Sequence, residues 1–294
     1  MDQSFKFSRL QGMGFLILYS LLSSTAGLLI KMIHWPAMTV AGLRSGISIL
    51  CFLILLRNLR FTFSRIQLAG TAVCTITMIM FISATKLTSA GNAIFLHYTS
   101  PIYVALFSSW FLKEKIHSTE WILIFSGIMG IFFFFCEEMT SDGFWGNICA
   151  LASAIPSAGY IVLTRLQSKT SSPFESIMMA DFITFLICIP SYVHINTVPS
   201  DWFIILFLGI IQNGVATILF GMGTKYVRAT DAVLICMLEP ICNPLWVILM
   251  LGERLTKFEI IGGSIILAIS LVSGLRSARQ TNSAELKLQT EIIA

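Results

Sequence analysis

Charge is what this sequence has least of: Asp, Glu, Lys and Arg make up 12% of 294 residues, about half the share in an ordinary soluble domain. With 56% hydrophobic residues and a mean hydropathy of +0.83, there is too little polar material to clothe a water-soluble surface. Ten apolar stretches can be counted; at about 20 residues per bilayer-crossing helix they take up roughly 200 positions. The short connections left over exclude a soluble catalytic or nucleic-acid-binding domain. No P-loop is present, so this chain does not use ATP. Neither HExxH nor GxSxG occurs, and no acidic cluster sits inside an apolar stretch, which leaves an intramembrane enzyme without its usual groups. The seven cysteines (Cys51, Cys74, Cys136, Cys149, Cys188, Cys236 and Cys242) form no CxxC pair and have no His at ligand spacing. They read as small core residues, with no metal and no cofactor implied. Cys136 and Cys149 flank one loop placed outside, where an oxidising compartment permits a disulfide.

The apolar stretches read as all-α spans near 12–30, 37–56, 66–85, 90–112, 119–136, 144–164, 174–193, 202–222, 229–251 and 257–275. Their length and their continuous apolarity exclude the alternating strands of a membrane barrel. The first is too long for a signal-peptide core and leads into Lys31 and a second span, so it is kept as a span. Basic residues then set orientation. With the N-terminus inside, 14 of the 19 Lys and Arg fall on the inner face, against Lys31, Lys86, Arg254 and Lys257 outside and Arg44 within a span. The expectation is a multi-pass protein of the plasma membrane with both termini cytoplasmic. The net charge of +4 reports this orientation, not a polyanionic partner, and nucleic acid is not expected to bind.

Sliding the chain by 139 positions aligns Lys86–Glu120 with Lys225–Glu259 without a gap, and nine of the 35 pairs are identical. Among them are Ala90/Ala229, Ala93/Ala232, Pro101/Pro240, Ile102/Ile241, Glu114/Glu253 and Glu120/Glu259. Each copy holds five spans, and an odd number obliges the second copy to enter the membrane from the opposite side. The chain thus divides into a first repeat over 1–138, a second over 139–275 and a cytoplasmic tail over 276–294. Inverted repeats of this kind build many secondary transporters, whose halves exchange conformations around a central site.

The stretch SAGNAIFLHYTSPIYVALFSSWFLKEK (Ser89–Lys115) and its counterpart RATDAVLICMLEPICNPLWVILMLGERLTKFEIIGGSIIL (Arg228–Leu267) resemble the paired EamA repeats of the drug/metabolite transporter superfamily. The resemblance covers nearly the whole chain. It implies a ten-helix carrier of small metabolites, often amino acids or related compounds and often outward, with a central cavity lined by spans other than 5 and 10. Spans 5 and 10 are themselves poor in polar groups, which suits a peripheral, lipid-facing place; a homodimer through either stays open, with no GxxxG in them.

Polar groups at helical spacing mark candidate cavity walls. Ser153, Ser157, Tyr160 and Thr164 share a face of span 6; Glu239, Asn243 and Trp246 share one of span 9; span 1 offers Tyr19 and Ser23, and span 8 Gln212, Asn213 and Thr217. Small hydroxyl residues also serve as plain helix contacts in membranes. Ionisable groups at depth cost about 2.5–3.5 kcal/mol on insertion scales and seldom face lipid. Arg44 and Asp181 occupy corresponding places after Pro36 and Pro173, where they can neutralise one another or bind a charged substrate group. Glu239 precedes Pro240 as Ser100 precedes Pro101, two prolines whose missing amides open hinges where helices line a cavity. There Glu239 can bind an amino group or carry a proton, or sit protonated against a neighbour, and Trp246 can stack on a cationic or aromatic substrate. His97, at the place of Cys236, is either a proton-coupling group or a core histidine bonded to a serine. Asn92 and Asp231 begin spans 4 and 9 and read as helix caps. Glu114–Lys115 and Glu253–Arg254 read as interfacial links or gates between helices.

The function expected is therefore export of a small polar metabolite, driven by the proton gradient or by exchange. A channel-like or regulatory membrane subunit is the alternative, and an intramembrane enzyme the remotest one.

Overall fold

The computed structural model describes residues 9–56, 61–111, 118–137, 143–167, 173–195, 198–224, 226–227, 232, 235–236, 238–272 and 275–276. All regular structure among them is helical. The helices are α1 (Arg9–Ser24), α2 (Ala26–Met32), α3 (Ala37–Leu55), α4 (Arg65–Leu87), α5 (Ala90–His97), α6 (Ser100–Phe111), α7 (Ser118–Glu137), α8 (Phe144–Gln167) and α9 (Pro173–Ile187). A 3-10 turn (Ile189–His194) follows, then α10 (Pro199–Phe207), a π-helical segment (Leu208–Val215), α11 (Ala216–Gly223), α12 (Leu238–Leu251) and α13 over 257–272. Helix occupies each of the ten apolar stretches. By length and composition Leu10–Met32, Ala37–Leu55, Arg65–Leu87, Phe144–Thr164 and Pro199–Gly223 can cross a membrane, with Trp121–Phe133 and Leu238–Leu251 as shorter apolar helices.

Several stretches are interrupted where the sequence supplies competing hydrogen bonds. Between α1 and α2, the Ser24 and Thr25 hydroxyls donate back to the carbonyls of Leu21 and Leu22 at 2.8 and 2.7 Å, which bends the chain at Thr25. Between α5 and α6, the Thr99 hydroxyl turns back onto the Leu96 carbonyl at 2.7 Å, and Pro101 has no amide with which to continue the ladder. Pro101 and Pro240 accordingly stand in the first turns of α6 and α12, where a missing amide costs nothing. Pro101 starts its helix after the break at Thr99; Pro156 and Pro244 are the prolines inside helices. Gly252, at φ +71°, ends α12 in the left-handed conformation that glycine adopts freely, its amide bonded to the Ile248 carbonyl at 3.1 Å.

Packing follows the small residues. α4 lies along α8 and α9, α3 along α9 and the π-segment, and α1 along α11 and α12. One core joins Ile30, Ile33, Trp35, Val40, Ile205 and Leu208; another joins Ala84, Ile94, Phe95, Leu96, Ala150 and Ile266. α7 packs against α6 and α13 through Gly127, which admits Ile102, and Gly130, which admits Ile266. Its other side exposes Trp121, Ile122, Phe125, Ile128, Met129 and Phe132, a surface suited to lipid. Cys149 is a free thiol; the side chain of Cys136 lies outside those described.

Candidate functional site

A carboxylate joins the α5–α6 break to α1 and α12. Tyr98 occupies the turn between α5 and α6, and its hydroxyl donates to Glu239 Oε2 at 3.3 Å; Tyr19 of α1 donates to the same oxygen at 3.3 Å. Glu239 sits in the first turn of α12, just before Pro240. Each tyrosine is itself fixed: the Tyr19 ring packs on Phe220 of α11 with centroids 4.9 Å apart, and the Tyr98 carbonyl accepts from Ser270 of α13 at 2.6 Å. All three side chains are half-buried, so protein does not seal them completely.

The face of α12 anticipated from spacing runs along the broken first stretch. Asn243 is buried against Gly27 of α2, where any Cβ would collide with its amide. Trp246 donates from Nε1 to Ser24 Oγ at 2.9 Å and packs with Leu28, Ala90 and Val247. Its indole N–H thus ties α12 to the α1–α2 bend. His97 Nδ1 lies 2.8 Å from Ser153 Oγ, whose hydroxyl proton is committed to the Ala150 carbonyl at 2.6 Å. The imidazole therefore donates from Nδ1, with its ring packed 4.9 Å from that of Phe81. This is the serine-bonded core histidine, one of the two readings open for His97 in the sequence.

Arg44 and Asp181 belong to a second polar centre, between α3, α9 and the π-segment. They lie within electrostatic reach of one another and of Cys74, and Cys74 in turn neighbours Tyr160 of α8. A direct ion pair is not formed. Arg44 Nη1 donates instead to Gln212 Oε1 at 3.2 Å, and both Asp181 oxygens accept from Asn213 Nδ2 at 3.3 Å. The π-segment supplies these two successive amides and comes close enough because it carries glycines. A Cβ on Gly209 would stand 2.5 Å from Ile47, and one on Gly214 2.6 Å from Cys51. π-Helical turns recur at functional positions in helices.

A third cluster fastens one end of the bundle. Glu253 pairs with Lys31 Nζ through Oε1 at 2.6 Å and accepts from the Ala90 amide through Oε2 at 3.4 Å. Ser89 donates to Glu259 Oε1 at 2.8 Å, while Glu259 and Thr256 form a capping box at the start of α13. Lys86 donates to the Ile33 carbonyl, Thr88 to Asn147, and His34 meets the Asp201 carboxylate. Glu253 thus links to Lys31 across helices and not to its neighbour Arg254. Glu114 and Lys115 lie outside the described residues.

The cap of α5 also differs from expectation. It is Ser89, whose extended backbone (φ −62°, ψ 151°) lets its hydroxyl accept from the Asn92 amide at 3.0 Å; Asn92 is already within the first turn and bonds to Thr88. Asp231 lies outside the described residues. The sequence reading missed Tyr98. The signal available was its place immediately before the Thr99–Pro101 break, where a side chain is aimed by a turn.

Comparison with known proteins agrees with this architecture. An uncharacterized transporter of Archaeoglobus fulgidus is 28% identical over 209 residues, covering 70% of this chain and 75% of the relative. The uncharacterized transporter YoaV of Bacillus subtilis is 23% identical, covering 60% of this chain and 64% of its own length. A second from that organism, YwfM, is 22% identical over 68% of this chain and 70% of its own. A solved crystal structure shares the fold at a TM-score of 0.62 and 18% identity, over 92% of this chain and 99% of that one. The model of the EamA-like transporter family matches residues 10–136 and again 144–275. Since those two matches take in nearly all of the helical bundle, this all-α membrane chain belongs to the EamA-like transporter family.

Proposed function

We propose that the protein is a secondary transporter that exports a small polar metabolite, such as an amino acid or a related compound, by alternating access in the plasma membrane. In this reading all ten helical stretches are spans, arranged as inverted repeats over 1–138 and 139–275, with both termini cytoplasmic. The observation that carries it is the triad of Tyr19, Tyr98 and Glu239. Two hydroxyls of the first repeat hold a carboxylate of the second, beside the α5–α6 break and Pro240. Broken helices are tolerated there when they border a cavity, and a site shared by both repeats changes shape when one moves against the other. The Lys31–Glu253 pair ties helices together at the end that this reading takes as the outer one, which supports a state shut to the exterior. Substrate passes through unaltered, without bond chemistry.

Counterflow in proteoliposomes tests this. Vesicles loaded with one unlabelled amino acid at a time should accumulate the same labelled compound above the empty-vesicle level for at least one class. Counterflow absent across amino acids, amines, nucleosides and sugar phosphates would refute the carrier reading.

A further inference from the structure

Glu239 differs from three other described carboxylates, each of which has a cation or an imidazole beside it. Asp181 has Arg44 beside it and Asn213 on both oxygens; Glu253 has Lys31, and Asp201 has His34. Among the described residues no Lys, Arg or His lies within ion-pair distance of Glu239. Both tyrosines donate to Oε2. Among the described residues no donor bonds to Oε1, yet it is absent from the sealed, unpartnered atoms such as Asn243 Oδ1 and Arg44 Nε. It therefore faces accessible space. With both hydroxyl protons committed to Oε2, what the triad still offers is one free anionic acceptor. An anion would be repelled, and a neutral hydroxyl would fill the acceptor without balancing the charge. A protonated amine does both, because N⁺–H···O⁻ bonds are roughly twice as strong as neutral ones.

We infer that Glu239 Oε1 is the acceptor for a primary ammonium group of the transported solute, bound beside Tyr19 and Tyr98 at the α5–α6 break. This rests on the carrier reading above and narrows its substrate to amine-bearing compounds.

The test is apparent thermal stability in lipid nanodiscs, at matched ionic strength, with n-butylammonium chloride as probe and n-butanol and tetramethylammonium chloride as comparators. A ligand that binds only the folded state raises the melting temperature by mass action. Butylammonium should stabilise the wild type more than either comparator, and Glu239→Gln should weaken its binding about tenfold or more. The double variant Tyr19→Phe/Tyr98→Phe keeps the rings and the charge, so it should bind butylammonium several-fold more weakly and still prefer it to butanol. That variant carries the test if Glu239→Gln fails to fold. Equal stabilisation by butanol or tetramethylammonium, an unchanged response in Glu239→Gln, or no response of the wild type to butylammonium would each overturn the inference. Proteoliposome exchange of labelled amino acids, run in parallel, separates the two readings. Exchange without ammonium binding removes the inference alone, whereas ammonium binding without any exchange removes the carrier.

Discussion

Replacing Glu253 with Gln isolates the ion pair that ties α2 to the segment after α12, because the new amide oxygen can still accept from the Ala90 amide. The Lys31 and Glu253 side chains are 19% and 32% exposed and meet at 2.6 Å. At an effective dielectric near 20, unit charges about 4 Å apart attract by roughly 4 kcal/mol. Partial desolvation and the ordering of two long side chains remove most of that, leaving about 1–1.5 kcal/mol net. Such a loss raises the population open at this contact about tenfold. Hydrogen exchange reads it directly, since amide exchange through local opening scales with the open population. Peptides covering 88–97 and 252–259 should exchange about tenfold faster in Glu253→Gln, while the α4–α8 contact keeps its protection. The swapped pair Lys31→Glu/Glu253→Lys should recover most of the protection, short of the part owed to the Ala90 bond. Unchanged exchange at 88–97 in Glu253→Gln would show that the pair is ornamental and that this contact is held by packing.

Glu239→Gln should abolish coupled transport while the protein inserts and folds, as checked by proteoliposome flux beside size-exclusion behaviour; normal pH-dependent flux in this variant would remove Glu239 from the mechanism. Gly209→Ala forces a methyl into Ile47 and the Arg44 carbonyl and should cost about 1–3 kcal/mol, seen as a lower melting temperature. Gly14→Ala meets nothing within 4 Å and should leave that temperature unchanged or slightly higher; equal loss in the two would contradict the π-segment packing. Ser89→Ala removes both the α5 cap and the bond to Glu259 and should destabilise by about 1–2 kcal/mol, with Ser89→Thr restoring most of it.

The positions of the helices were legible because apolarity along a membrane span is nearly continuous and needs no partner to be recognised. The boundaries at 37–56 and 66–85 differ from α3 and α4 by one or two residues. The breaks were legible in part: proline marked the one at Pro101, whereas the bend at Thr25 arises from hydroxyls that donate back to the carbonyls of Leu21 and Leu22, bonds available to any Ser or Thr in a helix. The π-segment left no mark at all, since its register depends on how Gly209 and Gly214 approach α3. Glu239 and Tyr19 stood out singly as a charge at depth and a polar residue on an apolar face. Their meeting with Tyr98, 141 residues before Glu239 in the chain, is a matter of helix packing. Arg44 and Asp181 show the converse. Their matched places left open mutual neutralisation or a charged substrate group, and the fold sets them near one another with Arg44 bonded to Gln212 and Asp181 to Asn213.

By itself the sequence determined that this chain is helical, membrane-embedded and internally duplicated, because those properties follow from local composition and from counting. Tertiary structure alone decided which polar groups share a space: Tyr19 and Tyr98 with Glu239, Lys31 with Glu253, Ser89 with Glu259. The reason is physical. A span's own hydrogen bonds are satisfied within it, so its sequence states where it lies along the chain, while side-chain partners between spans are set by rotations and crossings that only the packed bundle fixes.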